Sequence, residues 1–201
     1  MPTREILDLL PDEVTIPGKK GGRFVLLEDR HIYNTLTVTT TDRDKAFFQT
    51  LGSDKLSQSN FRGDQSLVRE DNIFVPLQVS VFPRLRLFQK LEGLAFFNRG
   101  LAVMQIKDPQ KITVLEDNLR NLAPAVGWER FTTETDINEL VPYGRNFRDR
   151  RTILIPQNKI VKGGRNIDFS LQWDETAGNG LTVDTEIVSE FYGGEYEPAE
   201  G

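Results

Sequence analysis

The stretch Ile73-Phe74-Val75-Pro76-Leu77-Gln78-Val79-Ser80-Val81-Phe82 decides how this chain is read. Ile73, Val75, Leu77, Val79 and Val81 recur at every second position, with Gln78 and Ser80 between them. Side chains alternate across a strand, so this period places the aliphatic set on one face and the polar set on the other. Such a half-buried strand belongs to an antiparallel sheet; a parallel sheet flanked by helices would carry an unbroken apolar run. Pro76 has no N–H to give to a ladder, which predicts a sheet edge or a bulge at that point.

The same period returns twice near the end of the chain. Ile167, Phe169, Leu171 and Trp173 alternate with Asn166, Asp168, Ser170 and Gln172, and Leu181, Val183 and Ile187 alternate with Thr182, Asp184, Glu186 and Glu190. Shorter strands are expected at Arg23 to Leu27, Tyr33 to Thr40, Lys45 to Gln49, Leu94 to Phe97, Leu101 to Ile106, Lys111 to Leu115 and Thr152 to Ile155. Asn98-Arg99-Gly100 reads as the tight loop of a hairpin, and Asp108-Pro109 as a turn. Two helices are expected. Thr3 to Leu10 starts at a capping threonine and stops at Pro11; Pro83 to Glu92 starts on proline and stops at Gly93. Roughly ten short strands separated by turn residues predict an all-β sandwich or barrel. The chain divides into an arm of helix and linker over 1–22, a sandwich over 23–192 and a flexible acidic tail over 193–201.

Composition narrows the function. With 201 residues, 38% of them hydrophobic, the chain suits one domain with a real core and not two sandwiches. A net charge of −5 is too mild and of the wrong sign for electrostatic coating of nucleic acid. No apolar run approaches a bilayer span, and Met1-Pro2-Thr3-Arg4-Glu5 does not read as a signal peptide. Cysteine is absent, which removes disulfides, thiol catalysis and cysteine-ligated zinc.

Only one histidine is present, His31. A metal site of imidazoles needs several, and a Ser–His–Asp triad would need His31 as its base with no Gly-x-Ser-x-Gly turn to present the serine. His31 is expected at a surface or turn. Asp168, Asp184 and Glu186 would serve as paired carboxylates for glycoside hydrolysis, but they read first as outward positions on the late strands. Gly18-Lys19-Lys20-Gly21-Gly22 lacks the ending of a phosphate loop. No catalytic residue, metal site or cofactor is therefore expected. Arg145, Arg148, Arg150 and Arg151, with Phe147 among them, form the most charged stretch. It reads as a solvated loop, a subunit contact, or a surface for genome or an internal membrane.

The order of features resembles the small single jelly-roll capsid and capsid-associated proteins of bacteriophages, tailless ones in particular. The resemblance runs over most of residues 23 to 194. It is carried by the polar stretch with Phe47-Phe48-Gln49-Thr50-Leu51-Gly52, the strand ending Gln78-Val79-Ser80-Val81-Phe82, Asn121-Leu122-Ala123-Pro124-Ala125-Val126-Gly127, and Ile153-Leu154-Ile155-Pro156-Gln157-Asn158 before the strand ending in Trp173. It implies an antiparallel jelly-roll β-sandwich with no enzymatic activity, located in the virion, whose partners are copies of itself and other capsid proteins.

The residues point to assembly as well. A helix as short as Thr3 to Leu10 must dock on something, so Ile6, Leu9 and Leu10 are expected to contact either the chain's own sandwich or a neighbouring subunit. The connection from Thr41 to Asn72 exceeds the usual loop length, and Phe47, Phe48 and Phe61 offer it anchors for a partner. The alternative is a sandwich that binds a carbohydrate or receptor through loop aromatics such as Tyr143, Phe147 or Tyr196.

Overall fold

The computed structural model describes residues 10–16, 22–48, 71–84, 88–106, 112–122, 140–141, 153–154, 160–162 and 167–199. In chain order the elements are β1 (Glu13–Thr15), β2 (Arg23–Val38), β3 (Asp44–Phe47), β4 (Ile73–Pro83), β5 (Phe88–Gln89), α1 (Lys90–Arg99), β6 (Gly100–Ile106) and β7 (Ile112–Asn118). They continue with α2 (Leu119–Leu122), β8 (Leu140–Val141), β9 (Ile153–Leu154), β10 (Val161–Lys162), β11 (Ile167–Trp173) and β12 (Thr185–Pro198). The all-β expectation is met, with every strand pair antiparallel.

Two sheets make the body. One has the order β1-β2-β12-β4-β10, with β9 also on β4; the other has the order β3-β11-β6-β7. The chain crosses between them repeatedly, because β3, β6, β7 and β11 interrupt the sequence of strands in the larger sheet. The main core draws on both sheets: Ile32, Val38, Phe74, Val79, Val81, Ile187 and Phe191 from one, Phe47, Met104, Phe169 and Leu171 from the other. Phe169 stands edge-on to Phe47 and Phe191, with ring centroids 6.0 and 5.3 Å apart. Edge-to-face contact suits the ring quadrupole and adds to simple burial.

The strand at Ile73–Pro83 is present, but its faces are not those its period predicts. Tyr192 lies opposite Gln78 while Gly193 lies opposite Pro76, so Leu77 is the extra residue of a bulge. The bulge alternative for Pro76 is the correct one; the edge alternative is not, since β4 lies between β12 and β10. An extra residue reverses the alternation beyond it. Val79 and Val81 accordingly enter the main core, while Ile73 and Val75 join a separate cluster with Phe24 and Tyr196. Nor is the polar face solvated, because Gln78 and Ser80 are buried.

Several boundaries differ from expectation. Arg23 to Leu27 and Tyr33 to Thr40 belong to one strand of 16 residues, because Glu28-Asp29-Arg30-His31 contains no breaker and pairs through along β12. Leu94 to Phe97 is helical, within α1, which starts at Lys90 and not at Pro83. A short apolar run does not distinguish strand from buried helix. Glu92 in the first turn and Arg99 in the last suit the helix dipole. Asn98-Arg99-Gly100 is thus the passage from α1 into β6 and not a hairpin loop. Residues 181–184 precede β12, leaving Val183 half exposed. The stretch from Gly193, expected as a tail, stays in β12 to Pro198, paired on both sides as far as Tyr196. The helix expected at Thr3 to Leu10, apart from Leu10, and the turn at Asp108-Pro109 lie outside the described residues.

Candidate functional site

Of the residues expected to meet a partner, Phe47 and Phe48 are core residues instead, 0% and 4% exposed. Phe48 has φ of 60°, a backbone conformation that costs a bulky residue energy, and its ring packs 5.2 Å from Phe191. The aromatic run that resembled a partner anchor is the point where β3 turns its end into the chain's own interior. Leu10 is buried too. Ile6, Leu9, Phe61, Arg145, Arg148, Arg150 and Arg151 lie outside the described residues, as do Tyr143 and Phe147. Tyr196, proposed as a loop aromatic, sits in β12 and is fully buried.

The three candidate carboxylates do not form one site. Asp168 is on β11, opposite Gln105 of β6. Asp184 accepts the Thr40 N–H at 3.0 Å, and Glu186 pairs with Arg84 at 3.3 Å.

His31 lies in the middle of β2, opposite Tyr192. The register across β2, β12 and β4 builds a polar array on one sheet face: His31, Tyr192 and Gln78 in one row, Tyr33, Glu190 and Ser80 in the next. His31 Nε2 lies 2.9 Å from Glu190 Oε2, and the imidazole stacks on the Tyr192 ring at 4.2 Å with 2° between planes. Glu190, expected on a solvated face, is 2% exposed. A carboxylate holding an imidazole is part of an acid–base constellation, and it is equally a cross-strand tie that satisfies a buried charge. Period-two reading placed Glu190 on the polar face of its strand. It could not show that Glu190 is buried there, beside an imidazole that stays exposed.

The same sheet face carries an apolar patch farther along. Phe24, Ile73, Val75 and Tyr196 form a satellite cluster closed by Val14, Ile16, Leu26 and Ile160. Residues 10–16 cross it as a strap. The Tyr196 hydroxyl donates to the Pro11 carbonyl at 2.9 Å, Leu26 N–H donates to Asp12 O at 2.9 Å, and Arg23 pairs with Glu13. Burial, followed by the nearby Asp12 carboxylate, pushes the Tyr196 phenol up to about 12. Beside the strap on β2, Val25 and Leu27 are exposed by 37% and 39%. These two, with Val183, are the exposed large hydrophobic residues among the described residues. Nearby, the buried Glu195 accepts from Arg30 at 2.6 Å and Asn72 at 2.7 Å.

At another point of the body, buried polar groups tie the loops together. Asn179 donates to the carbonyls of Thr39 and Asp42 at 2.8 and 2.9 Å and accepts from Leu181 N–H. Buried Glu92 accepts from the N–H and hydroxyl of Thr182. Burial alone would raise the Asp42 carboxyl, yet Thr39 N–H and Lys45 hold it below its ordinary value. Hydrogen bonds from Ala177 and Thr176 N–H hold Asp174 low as well.

Among the described residues no helix is long and apolar enough to cross a membrane, and no group of three potential metal ligands is found. The class these observations define is an all-β protein of two facing antiparallel sheets. No family model, curated protein or solved structure matches the chain.

Proposed function

We propose that this chain is a structural subunit of a virus shell: a single jelly-roll coat or coat-associated protein that packs against copies of itself and other capsid proteins in the virion. The observation that carries the reading is the nesting of the strand pairs. β9 and β10 each pair with β4, so they share one place in the order, and the long path is β2, β3, β4, β6, β7, β9 with β10, β11, β12. First pairs with last (β2–β12), second with seventh (β3–β11), third with sixth (β4–β9/β10), fourth with fifth (β6–β7). Successive pairs alternate between the two sheets. Rolling up one long antiparallel hairpin produces this order, which is the reason for preferring a jelly roll to other sandwiches.

Jelly rolls also serve as metal enzymes and lectins, so topology alone does not choose among them. A shell role is favoured by the exposed pair Val25 and Leu27 beside the strap. The chain's single imidazole is already engaged with Glu190 inside a sheet. The arginine-rich stretch from Arg145 to Arg151 remains the proposed contact with genome or internal membrane. Sedimentation and electron microscopy of the purified protein over a concentration series test the reading, together with a search for the chain in purified particles. Oligomers or shell fragments are expected. A strict monomer at high concentration, absent from particles, overturns it.

A further inference from the structure

We propose that Asn179 is a deamidation site which the fold keeps silent, and that its conversion, once the surrounding loop has opened, stops that loop from closing again. The inference goes beyond the shell reading and does not depend on it.

Asn179-Gly180 is the one Asn-Gly pair in the chain. Such a pair is reactive because glycine has no side chain to shield its nitrogen. The Gly180 nitrogen attacks Asn179 Cγ, gives up its proton to solvent and expels the amide nitrogen as ammonia, leaving a cyclic succinimide. Water then opens the ring at either carbonyl. The product is aspartate or, where the backbone now runs through the side chain, isoaspartate. No electrons are exchanged, and water is the co-reactant.

The closed loop opposes each step. Asn179 is fully buried in the connection between β11 and β12. Its amide nitrogen donates to Thr39 O and Asp42 O, and its oxygen accepts from Leu181 N–H. The Leu181 N–H would favour charge on that oxygen. The attack, however, makes Cγ tetrahedral, which breaks the planar amide that the other two bonds hold, and water has to reach a buried atom. Each hydrogen bond is worth roughly a factor of five, so the three together hold the side chain in place by about a hundredfold. Conversion is thereby confined to molecules whose loop has lifted.

Neither residue is replaceable without loss. Gly180 has φ of 74°, and a methyl group there would overlap Ala95 Cβ of α1. At Asn179 one short amide supplies two donor bonds and an acceptor, whereas a carboxylate supplies acceptors alone. Aspartate at this point turns a charged oxygen on the Thr39 and Asp42 carbonyls, in the turn that already holds the Asp42 carboxylate against Thr39 N–H. Isoaspartate adds a backbone atom where α1 leaves no room for a methyl. Opening is reversible before conversion and not after it.

The parent protein tests the first half. It is held in warm, mildly alkaline buffer, folded in one arm and unfolded in urea in the other, and the peptide containing Asn179 is followed by mass spectrometry. Conversion is expected to be about a hundredfold slower in the folded arm. Thr182→Val removes one bond from the loop to buried Glu92 and leaves the N–H bond in place, so it should speed the folded arm severalfold. Rates in the two arms within about threefold of each other, or no change in Thr182→Val, overturn the silencing. Asn179→Asp tests the second half. Proteolysis between Asp174 and Asp184 is expected to run at least about tenfold faster than in the parent, with the circular dichroism of the sheets retained. Parent-like resistance means that the loop closes over a carboxylate, and loss of the sheets means that the damage is not confined to the loop; either result overturns the proposal.

Discussion

Replacing Gly193 with alanine is the sharpest test of the bulged sheet. Gly193 sits opposite Pro76 at the register shift between β12 and β4. A methyl group there comes within 2.7 Å of the Phe74 ring and nearer still to the Val75 carbonyl oxygen. Phe74 is fully buried in the main core, and the carbonyl belongs to the backbone of a central strand, so neither yields easily. Overpacking a rigid site costs about 3 kcal/mol. Reduced freedom of the unfolded chain returns about 0.4–1 kcal/mol, so the net loss is about 2 kcal/mol or more. For a chain of this size that is a fall in melting temperature of roughly 4–8 °C, or a urea midpoint lower by about 1 M. Gly194→Ala is the control. Its methyl would meet side chains only, the Tyr196 ring at 2.7 Å and Leu26 Cδ1 at 2.9 Å, and about 1 kcal/mol is expected. Should Gly193→Ala match the parent within about 0.5 kcal/mol, or cost less than Gly194→Ala, the placement of the bulge at Leu77 is wrong.

Four further outcomes follow from the polar groups. Arg30→Ala leaves the Glu195 carboxylate buried with Asn72 as its remaining named donor and is expected to cost about 3 kcal/mol in chemical denaturation; adding Glu195→Gln should recover part of the loss. Asn179→Ala removes three hydrogen bonds at once, and a loss of about 3 kcal/mol with faster proteolysis between Asp174 and Asp184 is expected. Because Asp42 and Asp174 are held below their ordinary values, their stabilisation is present above the unfolded carboxyl pKa of about 3.9 and disappears as pH falls through the lower folded values. Melting temperatures from pH 5 to pH 2 should therefore drop less for Asp174→Asn, which keeps the turn's acceptor, than for the parent. In an absorbance titration of the phenols, one of the four tyrosines should ionise last, near pH 12, and Tyr196→Phe should abolish that step.

Local pattern was enough for the class of the fold and for several of its strands. The period of two in Ile167 to Trp173 is the strand β11, with Phe169, Leu171 and Trp173 inward and Gln172 outward, because one face meets the opposite sheet and the other does not. Where neighbouring strands bring large side chains beside a polar one, period ceases to report burial. Glu190, Gln78 and Ser80 look solvated in the sequence and are buried, since register across three strands gathers them into one array. Leu94 to Phe97 shows the same limit from the apolar side: helix and strand both bury such a run, and packing of Phe96 on Trp173, with the Trp173 indole N–H donating to Phe96 O at 3.0 Å, selects the helix. Phe47 and Phe48 promised a partner by their chemistry but belong to the core, because the end of β3 turns inward. Composition alone removed thiol and multi-histidine chemistry. The bulge that splits β4 between two cores, and the strap across the smaller of them, depend on contacts between residues far apart in the chain, which only tertiary structure decides.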